Sequence, residues 1–257
     1  MQDKNKTVEL ILRYMSDAEK DDSYNYLNYI DGVRPVSFND RDTLYRVFNE
    51  KIEDFKDGLT FNDLESIRSY TGYNFRNINA ILRHKWNYYE NGKLDDNIKR
   101  DYLEKGKKIE KLIDKFPPID LCFNTYRGVT LSYFKDYGIN NIEDLVNLKN
   151  KFIYEEAFTS TSIINGSHFF NKENERGINY NVEIVYKIDG NYSSGALLLD
   201  DDLTYSTSQA EYLINKDSLS KVDDVVINGD TATIYVTLLP SKLWDKKRYL
   251  ISSAKSY

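Results

Sequence analysis

A change of periodicity at Pro117-Pro118 restricts this fold more than any other feature of the sequence. Proline fixes φ, lacks a backbone N–H and disfavours helix in the residue before it, so a proline pair ends any helix that reaches it. Before the pair, apolar residues recur at spacings of three and four. Val8, Ile11 and Met15 do so in "TVELILRYMSDAEK", and Leu44, Val47, Phe48, Ile52 and Phe55 in "DRDTLYRVFNEKIEDF". Ile78, Ile81, Leu82 and Trp86 do so in "NINAILRHKWNYYENG". "FNDLESIRSYTG" offers Asn62 as an N-cap and Gly72 as a stop. "DNIKRDYLEKGKKIEKLIDKF" is a charged helix with Lys and Glu at supportive spacings, read as a solvated face.

After the pair the pattern shortens. "IDLCFNTYRGV" is an apolar run before a turn, and "NIEDLVNLKN" is one more helix. "KFIYEEAFTSTSI", "NYNVEIVYKI", "GALLL", "QAEYLI", "KVDDVVI" and "TATIYVTLL" are strand-like. Val182, Ile184 and Tyr186 alternate as a half-buried strand requires, and Asn228-Gly229 between β-branched runs signals a hairpin. Helices first and strands later predict an α+β fold with an antiparallel-rich sheet or sandwich.

Composition narrows the chemistry. At 257 residues the chain buries an ordinary core, and 40% apolar with 30% charged residues is a globular profile. A formal charge of −6 argues against a nucleic-acid binder. No apolar run approaches the roughly 20 residues of a membrane helix. "MQDKNKTVEL" has no signal-like apolar stretch, so the chain either acts where it is made or is a mature form without its leader. The one cysteine, Cys122, excludes an internal disulfide and sits in an apolar context that suits a small buried hydrophobe. His84 and His168 have no cysteine or histidine cluster beside them, so no metal is expected. No Gly-x-Ser-x-Gly elbow and no Rossmann glycine fingerprint is present.

Three elements carry chemistry, in chain order: Arg127 in "NTYRGV", Ser160-Thr161-Ser162 after Phe158, and Glu211, two residues beyond Gln209. Strand alternation puts Phe158, Ser160 and Ser162 on one face, and Gln209 with Glu211 on one face. The set resembles the R–STS–(Q/E)xE class of bacterial mono-ADP-ribosyltransferase toxins, and its glutamine variant is most similar to the clostridial Rho-inactivating exoenzymes. "SYTGYNFRNINAILR" resembles their NAD-contacting helix, with Thr71, Asn79 and Arg83 in place and one extra residue between Thr71 and Asn79. The resemblance runs from about residue 60 to 240.

The resemblance implies two packed, mainly antiparallel sheets around an NAD cleft, within a catalytic domain at 56–257 preceded by a helical extension at 1–55. NAD would be a consumed substrate, with no tightly bound cofactor. Glu211 would be the catalytic carboxylate, with Ser160 helping to hold it and Gln209 reading the acceptor amide. Arg127 with Gly128, Arg83, Asn79, Thr71, Ser160, Thr161 and Ser162 would contact NAD. Phe169 would meet the nicotinamide and Arg176, with Lys172 as competitor, the phosphate, from the loop "NGSHFFNKENERGINY". Tyr205 would face the target protein. The implied function is transfer of ADP-ribose to an asparagine of a Rho-type GTPase by a secreted monomer acting in the host cytosol. The alternatives are arginine transfer, for example to actin, an NAD glycohydrolase, residence in the bacterial cytoplasm, or a binding module without catalysis.

Overall fold

The computed structural model describes residues 4–83, 96–166, 170, 177–192, 195–198, 203–204 and 210–240. Among the described residues six α-helices come first: α1 (Lys4–Tyr14), α2 (Asp17–Asp31), α3 (Arg41–Asp57), α4 (Phe61–Ser69), α5 (Phe75–Leu82) and α6 (Asp96–Ile113). Eight described strands follow the proline pair: β1 (Cys122–Val129), β2 (Phe152–Glu155), β3 (Thr159–Ser162), β4 (Val182–Asp189), β5 (Gly195–Leu198), β6 (Glu211–Ile214), β7 (Ser218–Asn228) and β8 (Thr231–Leu238). The α+β reading therefore holds, and "NIEDLVNLKN" becomes a 3₁₀ segment at Glu143–Leu148.

Local chemistry explains where the helical boundaries depart from periodicity. "TVELILRYMSDAEK" is broken before α2 because Ser16 and Glu19 form a reciprocal capping box. Thr60, not Asn62, caps α4, since its hydroxyl accepts the Asp63 N–H while Asp63 returns to the Thr60 N–H. Gly72 does not stop the helix: Tyr70–Asn74 is a π-helical turn that runs directly into α5. On α3, Leu44, Phe48, Ile52 and Phe55 are buried whereas Val47 is exposed.

The strands form one continuous sheet in the order β2-β7-β8-β4-β1-β3-β6-β5, in place of two separate packed sheets. Among the described strands, β4 and β8 run parallel and the other neighbours antiparallel. β1 and β3 share a single register pair, Tyr126 with Ser162, so the sheet narrows there between a five-stranded and a three-stranded part. The hairpin at Asn228 turns on Gly229 and Asp230, with Gly229 at φ 61° and Asn228 still paired to Thr231. Helices α3 to α6 cover the sheet through Phe48, Ile52, Ile67, Ile78 and Leu112, packed with Phe123, Ile184, Tyr212 and Ile234. A second cluster seats α1 on β2 and β7, with Val8, Ile11 and Met15 against Tyr154 and Leu219. Cys122 is buried, and burial pushes its thiol up to about 11, as suits a packing residue.

Candidate active site

The narrowed junction of β1 and β3 positions the site. On β3, Ser160 lies opposite Leu213 and Ser162 opposite Glu211, so both serines and Glu211 share one face of the β3–β6 ladder. Ala210, directly before Glu211, is buried and takes the left-handed φ of 45°, which costs a non-glycine residue strain. Its carbonyl accepts the Ile163 N–H, which ties the strained turn to the end of β3. Strain next to the candidate carboxylate sets the direction in which β6 starts.

Burial raises the pKa of Glu211, and a hydrogen bond from the Ser160 side chain partly opposes that rise. Ser160 is thereby placed to favour the charged form. Ser160→Ala is expected to move the acid limb of nicotinamide release to higher pH and to lower turnover about tenfold, the scale of one hydrogen bond to a charged group. A pH–rate profile checks this, and an unmoved acid limb would detach Ser160 from Glu211.

Thr161 lies on the other face, where its hydroxyl donates to the Tyr212 carbonyl at 2.8 Å. The Ser162 hydroxyl donates to the Ile164 carbonyl at 2.8 Å and accepts the Ile164 N–H at 3.1 Å, shaping the chain as it leaves β3. Both hydroxyls make contacts at the strand end, and Ser162 stays on the face it shares with Ser160 and Glu211.

The α4–α5 segment supplies the opposite wall. A π turn accommodates one residue more than an α-helix of the same span, and Tyr70–Asn74 forms one that includes Thr71 and ends ahead of Asn79. The resemblance puts one extra residue in this stretch, and a π turn here would absorb it ahead of Asn79 and Arg83. The Thr71 hydroxyl donates to the Arg68 carbonyl at 3.1 Å. Asn79 donates to the Tyr70 hydroxyl at 3.2 Å and to the Phe158 carbonyl at 3.4 Å, bridging the helix to the chain entering β3. The Tyr70 ring meets Phe158 edge-on with centroids 5.3 Å apart. Burial raises the Tyr70 pKa; Glu211 raises it further, while Arg83 and Arg127 oppose. Tyr70, which the motif reading passed over, thus stands among the candidate carboxylate and both candidate phosphate-binding arginines.

Arg83 and Arg127 converge on a buried carboxylate that the motif reading also missed. Glu155, the last residue of β2, pairs with Arg83 at 3.5 Å and with Lys4 of α1 at 3.4 Å, and accepts a hydrogen bond from the Tyr133 hydroxyl. Arg127 lies over the Tyr133 ring, 5.6 Å from guanidinium carbon to centroid, and its Nη1 has no hydrogen-bond partner among the described residues. Gly128 follows Arg127 on β1 and pairs with Glu183 of β4. Burial would push the Glu155 carboxyl up, but Lys4, Arg83 and Arg127 outweigh burial and hold it at about 2. The available sequence signal was "IYEEAF", two carboxylates inside an apolar run, since buried acids are rare unless paired.

A carboxyl held at about 2, against 4.5 unperturbed, stabilises the fold fully above pH 4.5. That contribution, about 3 kcal/mol, is lost as pH falls from 4.5 towards 2. Denaturant titrations across this range are expected to show a steep loss of stability that Glu155→Gln flattens.

Gln209, Tyr205, Phe169, Arg176 and Lys172 lie outside the described residues. Among the described residues no group of three or more His, Cys, Asp or Glu could hold a metal ion, and no helix is long and apolar enough to cross a membrane.

A family model described as ADP-ribosyltransferase exoenzyme matches residues 47–251. The fold is similar to that of C3stau2 from S. aureus, solved with NAD, with a TM-score of 0.63 and 18% identity over 81% of this chain and 100% of that one. It is similar to BECa, an ADP-ribosylating toxin of a binary enterotoxin of C. perfringens solved with NADH, with a TM-score of 0.62 and 21% identity over 80% of this chain and 50% of that one. The Clostridium limosum C3 exoenzyme gives a TM-score of 0.61 and 19% identity over 80% of this chain and 98% of that one. A comparison with curated proteins gives no match.

Proposed function

Since the chain belongs to the ADP-ribosyltransferase exoenzyme family, we propose that it consumes NAD, releases nicotinamide and moves ADP-ribose to an asparagine of a Rho-type GTPase. The observation that carries this reading is Glu211, hydrogen-bonded by Ser160, near a Tyr70 that also feels Arg83 and Arg127. Breaking the nicotinamide–ribose bond sends its electron pair to the ring nitrogen and leaves oxocarbenium-like charge on the sugar, as in glycoside hydrolysis. Nicotinamide departs neutral, so no general acid is required. Glu211 as carboxylate accepts from the ribose 2′-hydroxyl and stabilises the positive sugar electrostatically. Arg83 and Arg127 hold the pyrophosphate, for which a guanidinium fork is the best-matched donor. The acceptor nitrogen forms the new bond at the anomeric carbon and gives its proton to solvent. Gln209, able both to donate and to accept, suits an amide acceptor. The exoenzyme description supports a secreted protein acting on a host target.

Arginine transfer, for example to actin, is the second reading. The formal charge of −6 favours it, because an acidic surface draws a cationic acceptor. Incubation with labelled NAD and a eukaryotic lysate, followed by mass-spectrometric mapping, distinguishes the two. Label on a GTPase asparagine supports the first reading, and label on arginine the second. Nicotinamide release without labelled protein makes the chain an NAD glycohydrolase, and no release at all removes the enzymatic reading.

A further inference from the structure

Lys4 belongs to none of the motifs, precedes the residues that match the family model, and yet ends in the active-site charge cluster. It is 7% exposed, with its ammonium 5.4 Å and 5.5 Å from the ring centres of Tyr133 and Tyr137. Helix α1 is held there by Val8, Ile11 and Met15 on Tyr154 and Leu219, and by Asn5 donating to the Tyr137 carbonyl at 3.1 Å. Burying a lysine needs a paired carboxylate, which Glu155 provides.

The two oxygens of Glu155 are used unequally. Oε1 receives both Lys4 and the Tyr133 hydroxyl. Oε2 has only the ion pair with Arg83 at 3.5 Å and no hydrogen bond among the described residues. Arg83 is therefore oriented but lightly held, and Arg127 keeps an unpartnered Nη1. Three cations against one carboxylate leave the cluster with a charge of +2. That charge is opposite and equal to the charge on the pyrophosphate of a dinucleotide. Without Lys4 the acid would neutralise one arginine, and half of the charge available to the pyrophosphate would be gone.

We infer that Lys4 is a positioning residue for dinucleotide binding: α1 delivers an internal counter-charge to Glu155, which leaves Arg83 and Arg127 electrostatically available to the pyrophosphate. The inference rests on the NAD reading above. It makes the first helix part of substrate binding, although Lys4 need not touch the substrate.

The test is a double-mutant cycle of Lys4→Met, Glu155→Gln and the pair, with the NAD Kd by calorimetry, steady-state nicotinamide release and thermal midpoint measured for each. Lys4→Met is expected to weaken NAD binding and raise KM about tenfold, with kcat changed less than about threefold. Adding Glu155→Gln to Lys4→Met is expected to restore the Kd to within about threefold, because no unpaired acid then competes for the arginines. A purely structural pair would lower the thermal midpoint of each single variant and leave the Kd of the folded protein unmoved; that result overturns the inference. Failure of Glu155→Gln to rescue the Kd of Lys4→Met overturns it too. If the unaltered chain does not bind NAD, the reading of the site fails, and the inference with it.

Discussion

Glu211→Gln is expected to cut nicotinamide release and protein labelling by about 10²–10³-fold while the protein stays folded and still binds NAD. The amide has the shape of the acid, so the β3–β6 ladder and the Ala210 turn are kept. It loses the charge that faces the positive sugar, an interaction that grows towards the transition state, and the loss therefore falls on kcat. Stability should move the other way. Burial raises the Glu211 pKa, so the ionised carboxylate costs stability as pH rises from 4.5 through its folded value. The variant escapes that cost and should melt at or above the temperature of the unaltered protein at neutral pH. Activity near the original level, measured by release of labelled nicotinamide, would remove Glu211 from the chemistry.

Arg127→Met is expected to raise the NAD Kd about 100-fold, and Arg127→Lys about tenfold. The first change deletes a charged donor worth about 1.5–3 kcal/mol to an anion; the second keeps the charge but loses the fork. The side chain projects from β1, whose ladder to β4 runs through backbone groups, so the strand itself is preserved. Glu155 retains Lys4 and Arg83 as partners in both variants. Calorimetric titration with NAD checks the two values, and an unchanged Kd in Arg127→Met would exclude Arg127 from the pyrophosphate site.

Local periodicities made the strand part of the site legible in the sequence. Alternation alone puts Ser160 and Ser162 on one face, and pairing β3 with β6 adds Glu211 to it. Asn79 and Arg83 came from the resemblance of the helix motif, and their spacing of four sets them one helical turn apart. What stayed hidden depends on contacts between distant segments. Glu155 and Lys4 are 151 positions apart, and no local pattern announces that a surface-type lysine is buried under two tyrosines. The single sheet was equally out of reach, because one register pair between β1 and β3 decides whether the strands form one ladder or two.

That single pair is also the narrowest point of the sheet, beside which the segment around Phe38 bridges the two sides through Phe123 and Ile164. Opening is local where few backbone hydrogen bonds cross a boundary, and one pair is the least that keeps a ladder continuous. The three strands β3, β6 and β5 carry Ser160 and Glu211, whereas Arg127 belongs to the five strands on the other side. Amide exchange is therefore expected to be faster in the smaller group than in the larger one, which hydrogen-exchange mass spectrometry checks. Substrate bound across the boundary would couple the two, slowing exchange in the smaller group more than in the larger.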